Sequence, residues 1–352
     1  MRVSWCPQAE DMGVNPYWRA LKAELMDLDV EFDGSPSWSF SRRWAWAHRR
    51  DVQIVHFHAV QRFWACELTQ ARLRWVVRFA RNLLFARTAG YRTLYTVHDL
   101  RPLEHSLQPD WIDFLGHWLA VNLTDAVFAH YDSGAKLLAK EYGRKRGVHV
   151  VKHPGYVGVY PNDISEDEAR SELGFSSRHT VFLFFGGIRP NKGIDALIST
   201  FRELPGDDLR LLVVGQPWPP KTYLDGLLDQ ARQDPRVRVM PGLVPDDQVQ
   251  LYLNAADVVV FPFKQILTSG STLLAMSFAR PVVAPALGCL ADVITPATGI
   301  LYDSLEPDAL RKALLASGAL DLHAMGKCGF DQAAAFSFRD LASETLRLYT
   351  SG

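Results

Sequence analysis

Short apolar runs without polar alternation, each followed by an amphipathic stretch, recur along the whole chain. Strands of that kind are buried on both faces, which calls for parallel sheets covered by helices on both sides. A first series of strands is expected at residues 2–6, 52–58, 93–98, 126–130 and 148–152. A second is expected at 180–185, 209–214, 237–240, 258–261, 282–284 and 299–301. Helical periodicity fills the intervals, at 15–28, 68–87, 111–123 and 133–142, then at 194–204, 221–233, 246–255, 271–278 and 307–316. A polar stretch, 161–177, with Asp163, Glu166, Asp167 and Glu168, separates the series and reads as the joint. The prediction is an α/β chain of two Rossmann-like, doubly wound domains, residues 1–160 and 161–335, facing across a cleft. A length of 352 residues suits two domains. Ligands of such sheets bind outside the carboxyl ends of the strands, so residues just after strands carry the weight.

Charge and cysteine content narrow the partners. Lys plus Arg is 38 and Asp plus Glu is 39, a net charge of −1, so nucleic acid is not expected. Cys6, Cys66, Cys289 and Cys328 form no Cys-x-x-Cys pair, which argues against a zinc site or a disulfide framework. The first residues lack the apolar core of a secretion signal, and no apolar run approaches the roughly 18–20 residues of a membrane span. A cytoplasmic location is expected.

Three strand-end segments offer chemistry. Gly186, Gly187, Arg189 and Lys192 follow the first strand of the second domain and lead into a helix. Arginine supplies a planar fork and lysine a point charge, a combination suited to a diphosphate. After the strand at 258–261, Thr268, Ser269, Gly270, Ser271 and Thr272 open a helix, whose N-terminal N–H groups and dipole favour an anion. One of the hydroxyl residues can equally be the N-cap. In the first domain, His98 and Asp99 end a strand and are candidates for a base with its orienting partner, or for gripping sugar hydroxyls. His56, His58 and His153 are also strand-end histidines, with His56 expected to pack inside. Gly13 and Asn15, in the loop after the first strand, leave room for a ligand above the first helix.

One surface stands apart. Between Glu67 and Asp99 there is no acidic residue, but there are six arginines: Arg72, Arg74, Arg78, Arg81, Arg87 and Arg92. Arg74, Arg78 and Arg81 share one side of a helix, and Leu73, Val76, Val77, Ala80 and Leu84 another. Just upstream, residues 42–50 combine Arg42, Arg43, Arg49 and Arg50 with Trp44 and Trp46. Basic residues beside tryptophan suit an anionic bilayer interface, as an alternative to an ordinary solvated face.

With these motifs, the chain resembles the GT-B nucleotide-sugar glycosyltransferases, in particular the large bacterial group that builds exopolysaccharides, O-antigens and glycolipids. The resemblance runs through nearly the whole chain. It rests on His98, the turn from Gly186 to Gly193, and the run Pro241, Gly242, Leu243, Val244, Pro245. It rests also on the segments 255–262 and 279–284, and on Phe336, Ser337 and Phe338 before a last amphipathic helix. It implies that residues 336–352 form a terminal helix packing back on the first domain. It implies that Lys192 contacts the donor phosphates, that Arg189 replaces an arginine usual at Gly187, and that the loop at Leu243 and Val244 meets the nucleobase. It places His98 near the transferred sugar.

One departure is evident. Common retaining members carry two glutamates eight positions apart, which would fall at Ile266 and Leu274 here. Some inverting members of the fold lack the pair and use a first-domain carboxylate as base, for which Asp99 and Glu104 are candidates, with His98 the other option. The expected activity is hexosyl transfer from a UDP- or GDP-linked sugar to a glycan or lipid-linked acceptor at the inner face of the membrane. No cofactor or metal is expected, the cations and the helix end neutralising the leaving charge. A catalytically inactive binding subunit and a same-fold epimerase are the alternatives.

Overall fold

A computed structural model of the protein describes residues 1–9, 16–33, 40–64, 73–99 and 110–351. Gly13, Asn15 and Glu104 lie outside the described residues. The chain divides into two compact units, Met1–His153 with Phe338–Gly352, and Pro154–Ser337. Each is built on one six-stranded sheet in which every pairing is parallel.

The first unit contains β1 (Arg2–Cys6), β2 (Glu31–Phe32), β3 (Ile54–Phe57), β4 (Arg92–Thr96), β5 (Ala126–Ala129) and β6 (Val148–Val150), in the order β2-β1-β3-β4-β5-β6. Its helices are α1 (Pro16–Met26), α2 (Arg42–His48), α3 (Leu73–Thr88), α4 (Asp110–Leu123) and α5 (Asp132–Tyr142). The second unit contains β7 (Thr180–Phe185), β8 (Leu209–Gly215), β9 (Val237–Pro241), β10 (Val258–Val260), β11 (Val282–Pro285) and β12 (Gly299–Tyr302), in the order β12-β11-β10-β7-β8-β9. Its helices are α6 (Glu166–Leu173), α7 (Ile194–Arg202), α8 (Lys221–Ala231), α9 (Val249–Ala255), α10 (Gly270–Ser277), α11 (Leu290–Val293), α12 (Ala309–Ser317) and α13 (Leu322–Ala334). The last helix is α14 (Phe338–Thr350). The core of β7, Val181, Phe182, Leu183 and Phe184, is buried on both faces, which is why that strand shows no polar alternation. In sheet order β7 lies between β10 and β8, so the chain reverses its winding direction there. At such a switch point the loops part on either side and leave a crevice at the carboxyl edge.

The polar stretch at 161–177 is not the joint. It contains α6, opened by a reciprocal cap between Ser165 and Glu168. Ala169 and Leu173 are buried, and Arg170, 6% exposed, pairs with Asp257 at 2.6 Å. The second Asp257 oxygen accepts from the Val181 N–H at 2.7 Å, which ties α6 to the start of β7. The units divide at Pro154 because the residues just after it belong to the second sheet's layer. The Gly155 N–H donates to the Phe336 carbonyl and the Tyr156 N–H to Ser277 Oγ.

Helix α14 packs on α1 within the first unit. It carries Tyr349 into the core, where Trp5 Nε1–H donates to the Tyr349 hydroxyl at 3.1 Å. The same hydroxyl is hydrogen-bonded to His56 Nδ1 at 2.7 Å, and His56 Nε2 to Thr96 Oγ1 at 2.8 Å. His56 is thus a satisfied structural histidine joining β3, β4 and α14. Tyr349→Phe leaves the buried Trp5 Nε1–H and His56 Nδ1 unpaired, so it should cost about 1–3 kcal/mol of unfolding free energy. Urea denaturation of the variant checks this, and an unchanged midpoint would contradict the relay.

Candidate active-site residues

In the second unit, three strand-end loops carry the expected donor residues. Gly186 continues β7, its N–H donating to the Val214 carbonyl. Arg189 and Lys192 follow, both half-buried. The turn closes at Gly193, whose φ of 70° is left-handed and where a Cβ would overlap the Pro262 carbonyl oxygen. Only glycine lets the β7 and β10 loops approach this closely. Lys192 Nζ lies 4.4 Å from the centre of the Phe263 ring, on the β10 loop. The neighbouring cation, Lys264, is instead neutralised by Asp195 at 2.9 Å.

Helix α10 begins beside this turn. Its N-cap is Ser269, whose Oγ accepts from the Thr272 N–H at 3.2 Å. An added Cβ on Gly186 would stand 3.5 Å from Ser271 Oγ, so the β7 turn and the first turn of α10 are neighbours. Thr268, Ser269, Gly270 and Ser271 are half-buried, but Thr272 is fully buried and its hydroxyl has no partner. Leu274 is buried too, and no acidic residue lies between Asp257 and Asp292 in the sequence. Val244 is half-buried in the loop after β9, which the Gly242 N–H ties to the Gly215 carbonyl.

In the first unit, His98 and Asp99 follow β4 and are half-buried. His98 Nε2 stands 3.5 Å from His58 Nδ1, and its ring packs edge-on against Trp18 and Tyr17, at 4.6 and 5.3 Å between centres. His130, after β5, was not singled out by the sequence, yet its ring lies 5.3 Å from His98 and 5.0 Å from His153. Its tautomer is determined by its partners. A carbonyl only accepts, so Nδ1–H donates to Val151 O at 3.1 Å and Nε2 accepts from the Tyr17 hydroxyl at 3.4 Å. His58, His98, His130 and His153 thus follow four consecutive strands, β3 to β6, and meet around Tyr17 at the carboxyl edge of the sheet.

The spacing Asp27-x-Asp29 is of a kind that can hold a metal-bound diphosphate. Both residues are exposed in the turn before β2, at the amino edge of the sheet, away from these strand ends.

A family model for glycosyl transferases group 1 matches residues 179–317, the segment that carries Arg189, Lys192 and α10. A GDP-mannose:glycolipid 4-beta-D-mannosyltransferase of Xanthomonas campestris pv. campestris is 37% identical over 330 residues, covering 91% of this chain and 83% of that protein. This chain belongs to the group 1 glycosyltransferases. Solved structures share the fold of this glycosyltransferase from end to end. Sucrose-phosphate synthase from Thermosynechococcus elongatus superposes with a TM-score of 0.80 at 17% identity, over 99% of this chain and 98% of that one. HepE of Anabaena in complex with UDP gives 0.74 at 16% identity, over 100% of both chains. The fold is GT-B, two Rossmann-like domains.

Burial holds the glycosyltransferase's histidine cluster neutral. It pushes His56 down to about 3 and His130 to about 4. It lowers His58 and His98 well below the ordinary value, with the neighbouring imidazoles adding to the effect. These folded-state values lie below the unfolded value near 6.5, so between the two the unfolded chain binds more protons. Stability is therefore complete above about pH 7 and is lost as pH falls below about 6.5, at up to about 1.4 kcal/mol per pH unit for each histidine. Denaturant melts at pH 7.5 and 5.5 test this, and His130→Asn should show the shallower loss. No loss down to pH 5 would contradict it.

Proposed function

We propose that this glycosyltransferase moves a hexosyl group from a GDP- or UDP-linked sugar to a lipid-linked glycan acceptor in polysaccharide or glycolipid synthesis, inverting the anomeric carbon without a metal. The observation that carries the reading is the turn after β7, which bears Arg189 and Lys192 and whose Gly186 lies beside the first turn of α10 at the switch point of the second sheet. Two cations and a helix N-terminus suit the diphosphate of a leaving nucleotide, because its charge grows as the glycosidic bond breaks. Leu243 and Val244 offer backbone groups for the nucleobase. The name of the Xanthomonas relative supports a GDP-mannose donor, a glycolipid acceptor and a β-linked product.

A β product from an α-linked donor requires inversion, and the chain's residues suit it. Apolar side chains stand at Ile266 and Leu274, where the resemblance places the glutamates of retaining members. In the proposed step the acceptor hydroxyl oxygen attacks the anomeric carbon from the face opposite the diphosphate. The bond to the diphosphate oxygen breaks with its electron pair, which Arg189, Lys192 and α10 stabilise. The acceptor proton passes to the Asp99 carboxylate. His98, neutral through burial, pairs with sugar hydroxyls.

A lipid-linked acceptor fits the first unit's surface. Val76, Phe79, Leu83 and Ala86 of α3 are buried, but Leu73, Val77 and Leu84 stay 42–46% exposed beside Arg74, Arg78 and Arg81. An open groove of about 730 Å³ between α2 and α3 is lined by Arg42, Arg43 and those three arginines. Helix α4, packed on α3, exposes Trp111, Phe114 and Trp118 at helical spacing, a signal the sequence reading missed. Among the described residues no helix is long and apolar enough to cross a membrane. The reading is therefore peripheral binding to the anionic inner leaflet, at about 1 kcal/mol per arginine near the surface. Replacing Arg42, Arg43, Arg49 and Arg50 by Ser should reduce binding to anionic vesicles about tenfold or more and slow transfer to lipid-linked acceptors, sparing a short soluble acceptor. Equal vesicle binding at low salt, where screening is least, would contradict it.

The reading as a whole is tested by thermal shift with GDP, UDP, GDP-mannose and UDP-glucose. A donor that binds only the folded state raises Tm by mass action. A panel without any shift would remove it.

A further inference from the structure

Trp218, in the loop after β8, belongs to no motif in the sequence, yet it is the side chain laid against Arg189. The guanidinium carbon sits 3.9 Å from the centre of the Trp218 ring. Other arginine–aromatic contacts of the same unit are looser, with Arg236 5.4 Å from Phe201 and Arg238 5.2 Å from Phe175. We propose that Trp218 is a positioning residue: its indole face holds the Arg189 guanidinium at the carboxyl edge of β7 and β8, presented to a donor diphosphate that Trp218 itself does not touch. The proposal rests on the reading of that edge as the donor site.

Three observations carry it. The first is the backbone that sets the pair. The Ile188 N–H donates to the Gln216 carbonyl at 2.8 Å, and the Trp218 N–H donates back to the Ile188 carbonyl at 3.1 Å. Ile188 itself is fully buried, so the two loops are laced together and Trp218 is held opposite Arg189. The second is the geometry of a stack. A guanidinium carries its N–H donors in its plane, so an aromatic ring occupies its face without consuming the edge that meets phosphate oxygens. Cation–π attraction and the loss of rotamer freedom before the ligand arrives both favour binding.

The third is Gly187. Its φ is not left-handed, so the backbone there does not require glycine. A Cβ would stand 3.3 Å from Arg189 Nε, close enough that the arginine must shift by a few tenths of an ångström, and in ordinary contact at 3.5 Å with Trp218 Nε1. Gly187, Arg189 and Trp218 therefore form one device, in which a bare position leaves room for an arginine folded against a tryptophan.

Calorimetric titration of the full chain with GDP and UDP, and with guanosine and uridine, tests this in W218A, W218F, G187A, R189A and the W218A/R189A double variant. W218A should weaken diphosphate binding about tenfold, W218F should keep most of the affinity, and nucleoside affinity should not change. G187A, which leaves both partners in place but crowds them, should weaken diphosphate binding too. In the R189A background W218A should have no further effect, because the two residues act as one. Additive losses in the double variant, or a matching loss of nucleoside affinity, would overturn the positioning role while leaving the donor site in place. R189A binding diphosphate as the parent does would remove the donor-site reading, and this proposal with it.

Discussion

Asp99→Asn should lower kcat by about 10²–10⁴-fold, the usual contribution of a general base, while the dissociation constant for GDP or UDP stays within about twofold. The amide keeps the size of the carboxylate and one acceptor oxygen but cannot take up the acceptor's proton. The base is needed in an inverting step because the acceptor hydroxyl must lose its proton as it attacks. His98→Ala should also lower kcat if the proposed reading holds, because the ring packed on Tyr17 and Trp18 is there the contact for a sugar hydroxyl. Full activity in Asp99→Asn would make Asp99 structural and move the search to Glu104.

Lys192→Ala and Arg189→Ala should have the opposite signature. Each removes one charge-assisted contact to the diphosphate, a loss of about 1.5–3 kcal/mol. That corresponds to roughly 10- to 150-fold weaker binding of free GDP or UDP, with nucleoside affinity untouched. Both residues stand on the turn between β7 and α7, within a unit whose core is supplied by other side chains, so the variants should fold as the parent does. Unchanged affinity in both variants would place the diphosphate elsewhere.

Much of the architecture was legible because burial on two faces writes a simple pattern. β7 from Val181 and β8 from Leu211 are uninterrupted apolar runs, closed by Gly186 and Gly215. Where a side chain's partner lies far away in sequence, the pattern misleads. Helix α6 looks like a linker because its one buried charge, Arg170, is answered by Asp257, 87 positions on. Helix α13 was missed because Gly326 and Gly329 lower helix propensity. Both glycines face a neighbour, Gly326 against the Ala279 carbonyl and Gly329 against Met276, so close packing there outweighs propensity.

The site was legible to a similar degree and for similar reasons. The turn from Gly186 to Lys192 announces itself through glycines and cations at a strand end. His130 does not, because one strand-end histidine carries little information, although the recurrence of a histidine after four successive strands was there to be read. Trp218 gave no sign because its partner, Arg189, lies on another loop and only the sheet brings the two together.

The account's central claim, an inverting transfer from a nucleotide sugar, is tested most directly by the configuration of the product. The parent protein, given GDP-mannose and a lipid-linked glycan acceptor, should yield a single product. Its new anomeric proton and carbon, resolved by NMR, should report a β linkage with GDP released in equal amount. An α-linked product, or donor consumption with no transfer to any acceptor, would contradict it.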